Sequence, residues 1–259
     1  MKKLLNYIWL KKNSKNLISV ETKYGNLNLI KKDLYITKSF LNGNYWAINE
    51  IKIITDILKF KNKEKLTYFD VGANVGSHVL AISKIFNNKI NIKCFEAQPY
   101  VYKVLEANII ENKLDNVEYH NCAIGNHDNF ISFKLPDYSQ INNFGGLELM
   151  KILKSDNQDM NFSEKKIKIK SMKLDNFKDH LVDFIKIDVE GMEKIVIEGG
   201  LQLIKKNRPT ILMELEKIDD KNFLEFFKIN NYSGYTNGDG NGLFVPNELA
   251  TVQNMNRFL

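Results

Sequence analysis

From residue 66 onward the sequence alternates between two hydrophobic periods, and this alternation limits the fold more than any other feature. "LTYFDVG" (66–72) is an apolar run of strand length, and "SHVLAISKIF" (77–86) repeats its apolar residues at helical spacing. "NIKCFEA" (91–97) reads as a second strand. "PYVYKVLEANIIENK" (99–113) reads as a helix with Pro99 in its first turn, and "VEYHNCAI" (117–124) as a third strand. The pattern resumes with "VDFIKIDVEG" (182–191), a helical stretch weakened at Gly199–Gly200, and "PTILMELE" (209–216). The chain ends in a helix and two runs joined by the turn-rich "GDGNG". Strand–helix repetition predicts parallel strands with helices on both faces. Right-handed crossovers order the first three strands 3-2-1.

The expected architecture is therefore an α/β, Rossmann-like fold. It has a seven-stranded, mostly parallel sheet with helices on both faces and an antiparallel C-terminal hairpin. Residues 1–60 form a small N-terminal extension of helices and short strands. Residues 61–259 form the main domain, with an insert at about 126–175 that is too long for a plain connection.

In open sheets of this kind, ligands bind beyond the carboxyl ends of the strands, where strand order reverses. The segment "DVGANVGSH" follows the first strand. Gly72 and Gly76 let backbone approach a ligand. The loop lacks the third glycine that wraps a dinucleotide's pyrophosphate, and Asn74 stands at the middle position. Its amide suits a zwitterionic amino-acid tail; it is also a good turn former. Glu96 ends the second strand, placed to accept hydrogen bonds from both ribose hydroxyls of an adenosine-type ligand.

Period 2 puts Phe184, Lys186, Asp188 and Glu190 on one face of "VDFIKIDVEG". A lysine inside a central strand is costly unless paired. Asp188 is its same-face neighbour, and Glu214 on the next strand is a second candidate partner. Two readings stand: an ion pair that holds strand register, and a lysine that orients carboxylates at a reaction centre. His78 opens the helix after the glycine turn, and reads equally as a helix-start residue or a proton acceptor. Asp188, Glu190, Glu214 and Glu216 leave a divalent cation open through oxygen ligands, although no metal is expected.

The net charge of +6 comes almost entirely from lysine, with arginine only at positions 208 and 257. Nucleic-acid sites rely on arginine forks, so no nucleic-acid partner is expected. Cys94 and Cys122 show neither disulfide nor metal spacing, which fits buried thiols and a cytoplasmic location. The apolar patch in "MKKLLNYIWLKKN" is too short to span a bilayer and lacks the features of a signal peptide. A docked helix is expected there, with weak peripheral membrane contact as the alternative.

Taken in order, "FDVGANVGSH", "FEAQP", "NCAIG", "NFGGLEL", "DFIKIDVEGMEKIVIEGG" and "RPTILMELE" resemble the FkbM-like family of S-adenosylmethionine-dependent methyltransferases. The likeness covers roughly residues 35–245. It implies S-adenosyl-L-methionine as cofactor and, most often, O-methylation of a sugar or natural-product hydroxyl. On that resemblance Asp70, Gly72, Asn74 and Gly76 line the methionine part, and Glu96 holds the ribose. Gln98, Asn121, Cys122 and Ala123 flank the adenine. Asp188 and Glu190 face the methyl group and the acceptor. Asn143, Gly145, Gly146 and Glu214 are expected on the acceptor side. The family's second strand more often ends Phe-Glu-Pro, whereas here Ala97 follows Glu96.

The leading expectation is an O-methyltransferase acting on a small-molecule or glycan acceptor. Asp188 is the first candidate base, ahead of Glu190 and His78, and Lys186 orients the carboxylates. The alternatives are a carboxyl methyltransferase and a non-catalytic nucleoside-binding assembly protein.

Overall fold

The computed structural model describes residues 2–147, 162–216, 221–236, 238, 240–249 and 256–259. Part of the polar insert, residues 148–161, and with it the end of the "NFGGLEL" stretch, lies outside the described residues.

The chain opens with helix α1 (Lys2–Asn13), the strands β1 (Leu17–Thr22) and β2 (Gly25–Ile30), and helices α2 (Ile36–Leu41) and α3 (Ile48–Phe60). The alternating region follows: β3 (Leu66–Val71), α4 (Ser77–Phe86), β4 (Ile90–Phe95), α5 (Pro99–Glu111) and β5 (Val117–His120). After β6 (Ala123–Ile124), β7 (Asn129–Pro136) and β8 (Phe162–Met172), alternation returns with β9 (Phe184–Ile187), α6 (Glu193–Glu198), α7 (Leu201–Asn207), β10 (Thr210–Glu214) and α8 (Lys221–Ile229). The chain closes with β11 (Tyr232–Thr236), β12 (Asn241–Pro246) and β13 (Asn256–Arg257).

The main sheet runs β13-β11-β12-β10-β9-β3-β4-β5. The five strands from β10 to β5 are parallel, in the expected 3-2-1 order for β5-β4-β3. The C-terminal pair is antiparallel, with β12 against β10 and β11 outside it. Among the described residues the sheet has eight strands, not the expected seven, because the two-residue β13 pairs with the edge of β11. Strand order reverses between β3 and β9, so the crevice above their carboxyl ends is the topological place for a ligand.

Two other expectations change in detail. "VEYHNCAI" is not one strand: it leaves the main sheet after His120 and re-forms as β6, in a small sheet ordered β6-β8-β7. Asn121 makes the break, since its side-chain amide donates to the carbonyls of Glu96 (2.8 Å) and Ala97 (3.3 Å), where a further ladder bond would run. The insert is largely this β7–β8 arm, paired antiparallel from Asn129↔Ser171. The Gly199–Gly200 weakness becomes a break between α6 and α7.

The N-terminal segment shares its core with the main sheet. Leu27, Leu29, Ile51 and Ile54 are buried in one cluster with Tyr68, Val79 and Leu105. One buried amide ties the parts together. Asn108 of α5 accepts from the backbone (2.7 Å) and side chain (3.0 Å) of Asn28 on β2, and donates to the carbonyls of Asn28 (3.0 Å) and Val75 (2.8 Å). It thereby anchors β2 and the glycine turn to the same helix. Asn108→Ala leaves several buried polar groups unsatisfied and is expected to cost about 2–4 kcal/mol, at 1–3 kcal/mol for each unmet group. Urea unfolding would show this as a lower midpoint with an unchanged slope.

Candidate functional site

The glycine turn crosses directly over Asp188, the residue just past the end of β9. Gly72 has φ of +82°, and a Cβ there would overlap the carbonyl oxygen of Asp188. Gly76, also left-handed at +88°, has Leu105 within 2.6 Å of where its Cβ would sit. Asn74 between them adopts φ of 51°, which asparagine tolerates better than most residues. Its Oδ1 caps the Val75 N–H at 2.8 Å. The turn is thus built for close backbone packing on β9 and α5, with Asn74 as its left-handed corner.

Glu96 closes the turn from the β4 side. Its Oε2 accepts from the Asn74 N–H (3.0 Å) and its Oε1 from the Gln98 N–H (2.8 Å). Each oxygen keeps a further lone pair. The carboxyl is pushed up to about 7: burial raises it most, the two backbone donors lower it, and the nearby charges of Asp188 and Asp70 raise it further. Gln98 is tied at both ends of its amide: Nε2 donates to the Phe144 carbonyl (2.7 Å), and Oε1 accepts from the Tyr138 hydroxyl (2.8 Å). It therefore fastens the start of the insert over the crevice.

Two adjoining hollows occupy the crevice. The inner one is largely apolar, walled by Phe95, Ala97, Cys122, Ala123, Leu147 and Met192. The outer one is polar and aromatic, walled by Tyr35, Trp46, Asn74, His78, Asn143 and Lys186, with Gly146 also at its wall. Gly72, Glu96, Gln98, Gly145, Asp188 and Glu190 border both. Four sequence-predicted residues stand outside this lining. Asp70 lies beneath it, Gly76 packs on α5, Asn121 supports the Glu96 backbone from behind, and Glu214 sits at the end of β10.

The floor is charged. Asp70 and Lys186 are directly paired in register on β3 and β9. The Lys186 Nζ lies 3.0 Å from Asp188 Oδ2 and 3.9 Å from Asp70 Oδ1. Lys186 and Asp70 are buried, while the Asp188 side chain is 45% exposed. Burial works against the ammonium, but Asp188, Asp70 and Glu50 outweigh it and raise the Lys186 pKa. Burial raises the Asp70 pKa, and the charges of Lys186 and His78 oppose the rise. So the lysine is a permanent cation that presents one carboxylate, Asp188, to the crevice. Glu190, at the edge of both hollows, is held in a left-handed conformation (φ 54°). After it Glu193 Oε1 caps the Val189 (3.1 Å) and Gly191 (3.3 Å) N–H groups.

His78 is buried, and its Nε2 lies 3.1 Å from Glu50 Oε2 on α3. Burial would raise the Glu50 carboxyl, but the hydrogen bond and charge of His78, and then Lys186, hold it down at about 2. The histidine therefore already has a permanent anionic partner. Glu50, Tyr35 and Trp46 escaped the sequence reading because the extension carries no strand–helix alternation to index them. Among the described residues, no group of three or more His, Cys, Asp or Glu is arranged to hold a metal ion.

The FkbM methyltransferase domain matches residues 70–236. With the crevice at the β3/β9 switch point, this match places the chain in a class of Rossmann-like methyltransferases. The chain belongs to the FkbM methyltransferase family, in agreement with S-adenosylmethionine as the expected cofactor. Among solved structures it resembles the methyltransferase FkbM from Methylobacillus flagellatus KT, at 14% identity and a TM-score of 0.51, over 70% of this chain. It spans 44% of that protein's chain. It also resembles M. jannaschii TYW2 in complex with AdoMet, at 14% identity and a TM-score of 0.44, over 88% of this chain and 83% of that one. No curated protein matches the sequence.

Lys186→Met leaves Asp70 buried without its cation and is expected to destabilise the fold by about 3–5 kcal/mol. Combining it with Asp70→Asn removes the stranded charge. Denaturant melts of the single and double variants should show the double recovering most of the loss.

Proposed function

We propose that the protein is an S-adenosylmethionine-dependent O-methyltransferase acting on a hydroxyl of a sugar, glycoconjugate or natural product. The observation that carries this reading is Asp188, a half-exposed carboxylate fixed by a buried lysine where the two hollows meet. The residues fit the cofactor. The inner hollow offers an apolar slot for a flat ring, Glu96 has free lone pairs for two ribose hydroxyls, and the Gly72–Gly76 turn offers backbone to the amino-acid tail.

When bound, S-adenosylmethionine supplies an electrophilic methyl group. The chain's own residues do the rest. Glu96 and the turn would hold the donor and the outer hollow the acceptor, so that the two are oriented for transfer. Orientation of this kind is worth up to roughly 7–11 kcal/mol. Asp188 would accept the proton that the acceptor hydroxyl loses. Lys186 keeps that carboxylate aimed and balances its charge. Tyr35 and Trp46 offer aromatic faces to the apolar C–H surface of a sugar ring. Asn143 and Asn74 offer amides to its hydroxyls. The partner is thus a small-molecule or glycan acceptor.

Asp188→Asn is expected to lower kcat by about 10²–10⁴, the usual worth of a general base. Affinity for S-adenosylhomocysteine, followed by calorimetry, should stay within severalfold. Near-normal turnover would favour a carboxylate acceptor, which needs no base. Absence of any cofactor binding would leave the non-catalytic reading.

A second expectation comes from Glu96. The ribose hydroxyls would donate to its ionised form, and its pKa is raised to about 7, mainly by burial. Cofactor affinity should therefore be flat above pH 7. Below that it should weaken, by about tenfold per pH unit for a single linked proton. Glu96→Gln should bind more weakly and lose this slope. A parent titration with no break near neutrality would refute the assignment.

A further inference from the structure

The charge of the chain is distributed very unevenly. Residues 1–32 contain eight lysines and one acidic residue, Glu21, whereas the whole chain has a net charge of +6. The rest of the chain holds 29 basic and 30 acidic residues. The excess positive charge of the molecule therefore lies entirely in its first 32 residues.

Helix α1 combines that charge with an exposed apolar face. At 100° per residue, Asn6, Trp9, Leu10 and Asn13 fall on one side, and Leu4, Leu5 and Ile8 on the opposite side. The first side faces the protein: Asn6 is buried, Trp9 and Leu10 are half-buried, and the Trp9 ring meets Tyr100 of α5 at 5.6 Å. The second side does not. Leu4, Leu5, Tyr7 and Ile8 are each more than half exposed. Lys11 and Lys12 fall on this open side as well, one turn further on, and both are exposed. Large aliphatic residues clustered in water, beside lysines, are the pattern of a helix that lies in a bilayer interface.

The surface continues toward the crevice. Lys31 Nζ donates to the Lys15 carbonyl (3.1 Å), and Lys32 Nζ bonds the Ser139 carbonyl. Next to them the Leu34 N–H donates to the Asn142 carbonyl (3.0 Å), which brings the exposed Leu34 and Ile141 side by side. Tyr35 follows at the mouth of the outer hollow.

We infer that this face docks the protein on an anionic lipid bilayer. The aliphatic side chains of α1 enter the headgroup region, and Lys11, Lys12, Lys15, Lys31 and Lys32 meet the lipid phosphates. Docking brings the rim of the crevice to the membrane surface. No step of this depends on the identity of the methyl acceptor. Among the described residues no helix is long and apolar enough to cross a membrane, so the contact is peripheral.

Flotation with lipid vesicles tests this. The parent protein should float with phosphatidylglycerol-containing vesicles and not with pure phosphatidylcholine vesicles, and raised salt should weaken the binding. L4Q/L5Q/I8Q and, separately, K11E/K12E/K15E should each lower the partition coefficient by at least about tenfold. Thermal melts of both variants should match the parent, since all six side chains are exposed. Absence of flotation, or equal flotation with neutral vesicles, would overturn the inference. So would a dimer, seen by sedimentation equilibrium, that L4Q/L5Q/I8Q abolishes in a protein that does not bind vesicles.

Discussion

Lys186 and Asp70 face each other on neighbouring strands, both out of water, and neither charge is tolerable there alone. The pair fixes β9 against β3, the two strands between which the sheet reverses its order. Two residues further on, Asp188 Oδ2 sits 3.0 Å from the same ammonium. One buried cation therefore does two jobs. It holds the switch point in register and turns a single carboxylate toward the crevice. Lys186 thus belongs to one charge network with Asp70 and Asp188, and Glu50 extends it to His78.

Around that network the crevice is assembled from parts distant in sequence. The glycine turn supplies backbone, β4 supplies Glu96, and the start of the insert is fastened across by Gln98 through Tyr138 and Phe144. The N-terminal segment supplies Tyr35 and Trp46 and is clamped to the insert through Asp33, which is paired with Asn142 and accepts the Tyr35 and Thr37 N–H groups. The hollow proposed for the cofactor thus falls within the region matched to the family, while two aromatic walls of the hollow proposed for the acceptor come from residues before it. This division suits a fold in which cofactor chemistry is shared and acceptor choice is set by additions.

The parallel sheet and the crevice lining beside β3 and β4 were legible because their signals are local. Period-2 strands, helical repeats and a glycine turn announce themselves within a dozen residues, and sheet topology then places Glu96 and Asp188 at one edge. The rest depends on long-range contacts with no local signature. Glu50 reaches His78 across the extension, and Asn121 ends β5 only because its amide finds the Glu96 and Ala97 carbonyls. Glu214 shares its strand-end position with Asp188, yet it does not border either hollow. Strand position narrows the list of site residues, and side-chain direction and neighbouring loops decide it.

Asp188 is proposed to stand where the methyl group is transferred. A crystal structure with S-adenosylhomocysteine tests it most directly. The adenine is expected in the inner hollow, the ribose on Glu96, and the sulfur facing the outer hollow with the Asp188 carboxylate beside the vacated methyl position. A ligand whose sulfur points away from Asp188, or whose ribose is held by a group other than Glu96, would contradict it.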